Sequence, residues 1–415
     1  MVNLYVFNQS SPAAIFGIGT YIRELTAALK ESDINFHVVH LGSDSQEREA
    51  PESNEPDNIR YFHIPSPIDL NIPLDRNMLG ELYYRNVVYF LRLQIKDTKK
   101  LVFHLNFNQS GKLVEELKKA FDCKVIASIH YFDWCLSLSG NITRFRKLLN
   151  GQGTDQDDRF KETFEASYRK NKSFFKEVNH IICLSENAEQ LIHHDYQIKP
   201  YITTVIYNGL TDRKPMEDIQ VLRQKYSIPD IPIILFVGRL NDTKGLTYAI
   251  KAFKKVINTQ SKCHFIISGN GTFDIYMKEC EDVWMHFTWT GFISKEKLYD
   301  LYSIADMGVM PSFHEQCSYV AIEMMMHGLP VIGSTSTGLK EMIVDGETGL
   351  HIPVMEYEDR VEIDTDLLAE KMLYLLQNPE ERMRMGTNAR IRYEEKYSRE
   401  VFRKNMLNFY HSLYE

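Results

Sequence analysis

Glu315 and Glu323 lie eight residues apart in the run Phe313-His314-Glu315-Gln316-Cys317-Ser318-Tyr319-Val320-Ala321-Ile322-Glu323, between the apolar stretch MGVMPS (307–312) and Gly328-Leu329-Pro330. In a doubly wound sheet, the loop after a strand faces the ligand crevice, and the helix that follows points free N–H groups into it. Glu315 then sits at the crevice mouth. Gln316 and the amides from Cys317 to Tyr319 are offered to diphosphate and sugar oxygens. Glu323, one to two turns into the helix, suits a pair of vicinal hydroxyls, because a carboxylate accepts hydrogen bonds without competing donors. The spacing by itself favours two solvated surface glutamates, and the neighbouring junctions reverse that.

A second junction, Gly238-Arg239-Leu240-Asn241-Asp242-Thr243-Lys244-Gly245, again follows a buried run and precedes a helical pattern. Two cations beside glycines that admit close backbone approach make Arg239 and Lys244 candidates to clamp a leaving diphosphate, with a solvated charged turn as the alternative. Gly269 and Gly271 mark a third junction, where tight turning lets a ligand approach. Gly17-Ile18-Gly19 opens a helix and suits a mobile loop over phosphates, or a plain helix start. His130 ends the run KVIASIH and is a catalytic or a structural histidine. Asp364-Thr365-Asp366 spells a metal-binding D-x-D, but at the head of a helical region it reads as a cap, so neither a metal nor another cofactor is expected.

The elements that must position these groups are short continuous apolar runs: VNLYVF (2–7), LVFHLNF (101–107), KVIASIH (124–130), HIICLS (180–185), PIILFVG (232–238), HFIISG (264–269), MGVMPS (307–312) and PVIGS (330–334). Continuous apolarity marks strands buried on both faces, so the class is α/β, with two doubly wound domains in 415 residues. The turn-rich stretch Tyr207-Asn208-Gly209-Leu210-Thr211-Asp212 places the boundary, giving 1–206 and 207–394. An apolar fraction of 44% supports two cores, and a net charge of −8 argues against a protein that coats nucleic acid. Six scattered cysteines without a C-x-x-C pair fit reduced thiols. The chain starts without the charged leader and apolar stretch of a signal peptide, and no window reaches about eighteen unbroken apolar residues, so a cytoplasmic protein is expected.

Together these junctions resemble the family-4 retaining glycosyltransferases of the GT-B fold. The resemblance is carried by Asn208-Gly209, Gly238-Arg239-Leu240 with Lys244-Gly245, Gly269-x-Gly271, Gly291-Phe292, the E-x7-E pair Glu315 and Glu323, Gly328-Leu329-Pro330, Gly338 with Glu341, and Gly346-x-x-Gly349. It implies two Rossmann-like domains facing a deep cleft: an acceptor-binding domain (1–206) to which the final helix (395–415) crosses back, and a donor-binding domain (207–394). It further implies Arg239 and Lys244 on the diphosphate, Glu315 on the donor sugar, Glu323 on the ribose, Gly291-Phe292 near the base, His130 near the transferred sugar, and Gly17 to Thr20 as the glycine loop. The family's glycines after the first glutamate are Gln316 and Ser318 here. The opening FNQSSPAAIFGIGTYI and the run HEQCSYVAIEMMMHGLP resemble a Bacteroidetes clade associated with radical-enzyme-modified peptides.

The expected activity is metal-independent transfer of a hexosyl unit from a nucleotide-diphosphate sugar, UDP-sugar favoured, to an acceptor hydroxyl with retention. The acceptor is a peptide, a glycan or a lipid-linked saccharide, and peripheral contact with the inner face of the membrane stays open. A nucleotide-sugar epimerase and a non-catalytic nucleotide-sugar-binding protein are the alternatives. Residues 141–178 form a long basic connection between two strands; within it Arg144, Arg146 and Lys147 are candidates for the acceptor, against a pair of ordinary solvated helices.

Overall fold

The computed structural model describes residues 1–9, 17–42, 59–65, 76–107, 111–152, 158–213 and 217–415. The chain divides into two units: Met1–His130 with Gln156–Gly209 and Phe402–Glu415, and Tyr131–Asp155 with Leu210–Val401.

The first unit is built on a seven-stranded parallel sheet. Its strands are β1 (Val2–Gln9), β2 (Ile34–Leu41), β3 (Arg60–Ile64), β4 (Leu101–Leu105), β5 (Cys123–Ile129), β6 (His180–Cys183) and β7 (Thr203–Val205), in the order β3-β2-β1-β4-β5-β6-β7. Val6, Phe7, Val102, Phe103, Val125 and Ile126 are fully buried, which is why these runs carry no polar alternation. The helix Gly17–Leu29 follows β1 and turns Ile18, Tyr21, Ile22, Leu25 and Leu29 inward, the spacing of one helical face. Phe402, Met406, Phe409 and Tyr410, from the helix Arg399–Ser412, complete this interior.

The second unit holds six parallel strands: β8 (Ile233–Val237), β9 (His264–Ser268), β10 (Phe287–Gly291), β11 (Met307–Met310), β12 (Val331–Ser334) and β13 (Gly349–Ile352). Their order is β10-β9-β8-β11-β12-β13. The sheet grows outward from β8 in both directions, so a topological switch point lies between β8 and β11. A separate antiparallel pair joins β14 (Val354–Glu356) to β15 (Val361–Ile363). The helices Leu246–Thr259 and Thr365–Gln377 bury Ile250, Phe253, Leu368 and Met372 in one core. No helix among the described residues is long and apolar enough to cross a membrane.

The division departs from 1–206 and 207–394 at residues 131–155, which pack with the second unit, and the return to the first unit starts at Phe402. The cause is a set of contacts to the β14–β15 hairpin. Glu356 accepts from Ile142 N at 3.2 Å and Thr143 N at 2.9 Å, filling the N-terminus of the helix Ile142–Leu149, and Asn141 Nδ2 donates to Tyr357 O at 2.7 Å. The connection between β5 and β6 therefore divides between the units, since the helix Asp158–Glu177 belongs to the first.

Candidate active site

At the switch point of the second unit, the loops after β8 and β11 run against each other. Phe313 N donates to Thr243 O at 2.8 Å, and a Cβ on Gly245 would lie 2.0 Å from Pro311 O. Gly245 has φ +67°, so only glycine meets both demands without strain. The turn delivers Lys244, whose ammonium donates to Glu315 Oε1. Both side chains are mostly buried, at 19% and 12% exposure. Two residues singled out separately in the sequence thus meet as an ion pair. Lys244 keeps two further N–H donors and Glu315 further lone pairs, so the pair can face a second partner each. Arg239 is exposed on the same loop, and its guanidinium has no ion-pair partner among the described residues. The row of loops continues outward: Gly238 N donates to Ser268 O at 3.0 Å, Leu240 forms a bridge with Gly271, and Gly269 N donates to Gly291 O at 3.0 Å.

The loop after β12 braces Glu315 from the other side. Glu315 N donates to Thr337 Oγ1 at 3.0 Å, Thr337 Oγ1 donates back to Glu315 O, and Gly338 N donates to the same carbonyl at 2.8 Å. Beside it, Gln316 Nε2 donates to His314 Nε2 at 3.3 Å. Burial lowers the His314 pKa to about 4, so the ring is neutral and its proton sits on Nδ1, which is buried and has no hydrogen-bond partner among the described residues. Gln316, Cys317 and Ser318 are all buried. Ser318 precedes the helix Tyr319–Met326, and its N–H donates to Met342 Sδ at 3.3 Å, so that amide is already engaged.

Glu323 differs from the open acceptor expected of it. It is 1% exposed, with Lys295 donating to Oε1 and Tyr302 OH donating to Oε2 at 2.8 Å. Lys295 and Tyr302 stand two turns apart on the helix Lys295–Ile304 and reach Glu323 from one face. A diol approaching this carboxylate would use the lone pairs those two leave over. Phe292 is 70% exposed next to Gly291.

In the first unit, His130 follows β5, and its Nε2 donates to Asn106 Oδ1 at 2.9 Å. Asn106 Nδ2 donates to Phe7 O at 3.2 Å, which sets the amide orientation and hence the histidine tautomer. Burial lowers the His130 pKa to about 3, so the ring is neutral with an acceptor at Nδ1. Tyr21 packs edge-on against it at 4.8 Å, one turn after Gly17 and two residues after Gly19 at the helix start. Behind them runs a buried chain: Tyr21 OH to Ser128 Oγ at 3.1 Å, Ser128 Oγ to His104 Nε2 at 2.7 Å, and His104 Nδ1 to Tyr410 OH at 2.8 Å.

Of the acceptor candidates, Lys147 pairs with Glu358 at 2.5 Å, Arg144 donates to Asp359 O at 3.4 Å, and Arg146 is exposed. All three stand on the helix Ile142–Leu149 in the second unit. Asp364 caps the helix Thr365–Gln377, its side chain accepting from Asp366 N at 2.8 Å and Leu367 N at 3.1 Å. Thr337, Lys295, Tyr302 and Asn106 were not singled out in the sequence, because each reaches its partner from a different loop or helix and no local spacing links them.

Solved structures share the whole architecture. Sucrose-phosphate synthase from Thermosynechococcus elongatus superposes with a TM-score of 0.75 at 20% identity, covering 100% of this chain and 99% of that one. Anabaena HepE, solved in complex with UDP and glucose, gives 0.72 at 15% identity, covering 99% and 100%. The protein has the GT-B fold. The sequence families agree with it: residues 15–213 match Glycosyltransferase Family 4, and residues 218–392 match Glycosyl transferases group 1. Among curated relatives, the alpha-D-kanosaminyltransferase of Streptomyces kanamyceticus is 31% identical over 180 residues, 43% of this chain and 45% of the relative. The chain thus spans about half the length of the first curated relatives it matches. On the GT-B fold, the E-x7-E glutamates and both cations all fall in the group 1 region.

Proposed function

We propose that this GT-B protein transfers a hexosyl unit from a nucleotide-diphosphate sugar to an acceptor hydroxyl, without a metal and with retention of configuration. The reading is carried by the meeting of Lys244 and Glu315 at the switch point of the second unit. Lys244 and Arg239 face the diphosphate and offset the charge that grows as the sugar–phosphate bond breaks; Glu315 accepts from the sugar hydroxyls and Glu323 from the ribose. Gly238, Gly269, Gly271 and Phe292 line the nucleotide end, and Gln316 to Tyr319 the diphosphate and sugar. The roles of His130 at the sugar and of Gly17 and Gly19 at the phosphates rest on the family resemblance, as does retention.

In this mechanism no side chain becomes a nucleophile. The anomeric carbon passes through an oxocarbenium-like state, the acceptor oxygen bonds to it on the face the phosphate leaves, and the acceptor proton goes to the departing phosphate oxygen. UDP-sugar is the favoured donor, in line with HepE having been solved with UDP and glucose. A saccharide acceptor is favoured by the sugar-acting relatives. The test is incubation with a panel of UDP- and GDP-hexoses, with and without saccharide, lipid-linked and peptide acceptors, following free nucleotide, altered sugar and glycosylated product. Transfer product supports the reading. An altered sugar without acceptor means an epimerase, and binding without turnover means a non-catalytic protein.

A further inference from the structure

Thr337 is a β-branched residue with φ +28°, a conformation such residues rarely adopt. Its neighbour explains the demand. A Cβ on Gly338 would lie 1.7 Å from Gln316 O and 3.1 Å from Glu315 O, so the chain passes directly over the backbone of the two residues beyond His314. That approach brings Gly338 N to 2.8 Å from Glu315 O and leaves Thr337 in the left-handed half of the map. In that position one hydroxyl does two things at once. It accepts from Glu315 N at 3.0 Å and donates to Glu315 O, so both backbone groups of a single residue end on a single side chain. Glycine would fit the conformation without strain but has no hydroxyl, and valine would fill the space without one. Unfavourable backbone held in place by hydrogen bonds to one residue points to what is being held.

We propose that Thr337 is a positioning residue for Glu315: its hydroxyl fixes the backbone from which the Glu315 carboxylate meets Lys244 and, on the donor reading above, the sugar of a nucleotide sugar. Thr337→Ser keeps the grip, Thr337→Gly removes both grip and strain, and Thr337→Val removes the grip and keeps the strain. Amide hydrogen exchange of the segment 313–319 in the ligand-free protein reads the grip, and thermal unfolding reads the strain. In Thr337→Gly the segment exchanges at least ten-fold faster while the melting temperature stays level or rises, and Thr337→Ser matches the parent in both. With the nucleotide sugar found by the donor panel, kcat falls about ten-fold in Thr337→Gly and Thr337→Val, while Thr337→Ser keeps the parental kcat.

Unchanged exchange in Thr337→Gly overturns the proposal. Faster exchange with undiminished kcat overturns the positioning role. If no nucleotide sugar binds even the parent protein, the donor reading fails, and the exchange experiment still decides whether Thr337 holds Glu315.

Discussion

Tyr302 donates its hydroxyl hydrogen to Glu323 Oε2 at 2.8 Å, inside a core where that carboxylate is 1% exposed. Burial, and then the charge of Glu323, push the phenol pKa well up, so Tyr302 remains a donor throughout the working range. Tyr302→Phe leaves one carboxylate oxygen buried without this partner. The expected loss is about 1.5–3 kcal/mol, the range for a hydrogen bond to a charged group. Urea unfolding followed by tryptophan fluorescence measures it, and a change under about 0.5 kcal/mol would mean that water takes the hydroxyl's place.

Arg239→Ala and Lys244→Ala separate in stability but agree in turnover. Each removes a cation from the proposed leaving-group clamp, which should cost about 2–4 kcal/mol of transition-state stabilisation in kcat. Arg239 is exposed, so its removal leaves the melting temperature in place. Lys244→Ala also strands Glu315, which is 12% exposed, and lowers it. Steady-state kinetics beside a melting curve gives both readings, and near-parental kcat in both variants would remove these residues from the mechanism.

Because the proposed clamp consists of side-chain cations, transfer should persist in EDTA. Loss of activity that manganese restores would contradict this and direct attention to Asp364, which caps the helix Thr365–Gln377, and Asp366, whose carboxylate pairs with Lys255 at 2.6 Å.

Acid should destabilise the first unit through its buried histidines. Burial lowers the pKa of His104 to about 3 from an unfolded value of 6.5, with the neighbouring His130 acting in the same direction. The unfolded chain therefore binds the proton first. Stability is fully present above pH 6.5 and is lost as pH falls from there toward 3, at up to about 1.4 kcal/mol per pH unit for this histidine. Urea midpoints at pH 7 and pH 5 should show the slope, and His104→Gln should reduce it by this histidine's share, since burial lowers His130, His37 and His40 as well, even though the variant is weaker at pH 7.

Arg146→Glu tests acceptor recognition at an exposed position of the helix Ile142–Leu149, whose Arg144 and Lys147 touch the β14–β15 hairpin. It should raise the acceptor KM and leave donor hydrolysis unchanged. Glu356→Ala is the control: it uncaps the helix Ile142–Leu149 at a cost of about 1–2 kcal/mol and tests packing alone. Equal acceptor kinetics in Arg146→Glu and the parent would leave the helix as a plain surface.

The central strands were legible because they are buried on both faces. β1, β4, β5, β6, β8, β9, β11 and β12 each overlap an apolar run read from the sequence. β2 was not, because INFHVVHL interrupts its apolar residues with His37 and His40, although His37 is buried. β10 lies at a sheet edge and buries only Phe287 fully, so FTWTG carries no comparable signal. In the site, the loop-borne Arg239, Lys244 and Glu315 could be found from their place after a strand. Thr337 is 22 residues from Glu315, and Lys295 28 residues from Glu323, so only the fold brings them together.

The first unit's interior includes Phe402, Met406, Phe409 and Tyr410, and Tyr410 supplies the outer partner of the buried His104. Its last strand, however, ends at Val205. On the ribosome those side chains arrive about 200 residues later, a wait of roughly 10–40 s at ~5–20 residues per second. During that interval the parallel sheet of the N-terminal half is complete in sequence but still exposes the apolar face that the final helix covers. The second unit, which ends at Val401, is complete by then and can fold first. Chaperone demand during synthesis should therefore fall on the half of the protein that is made earliest.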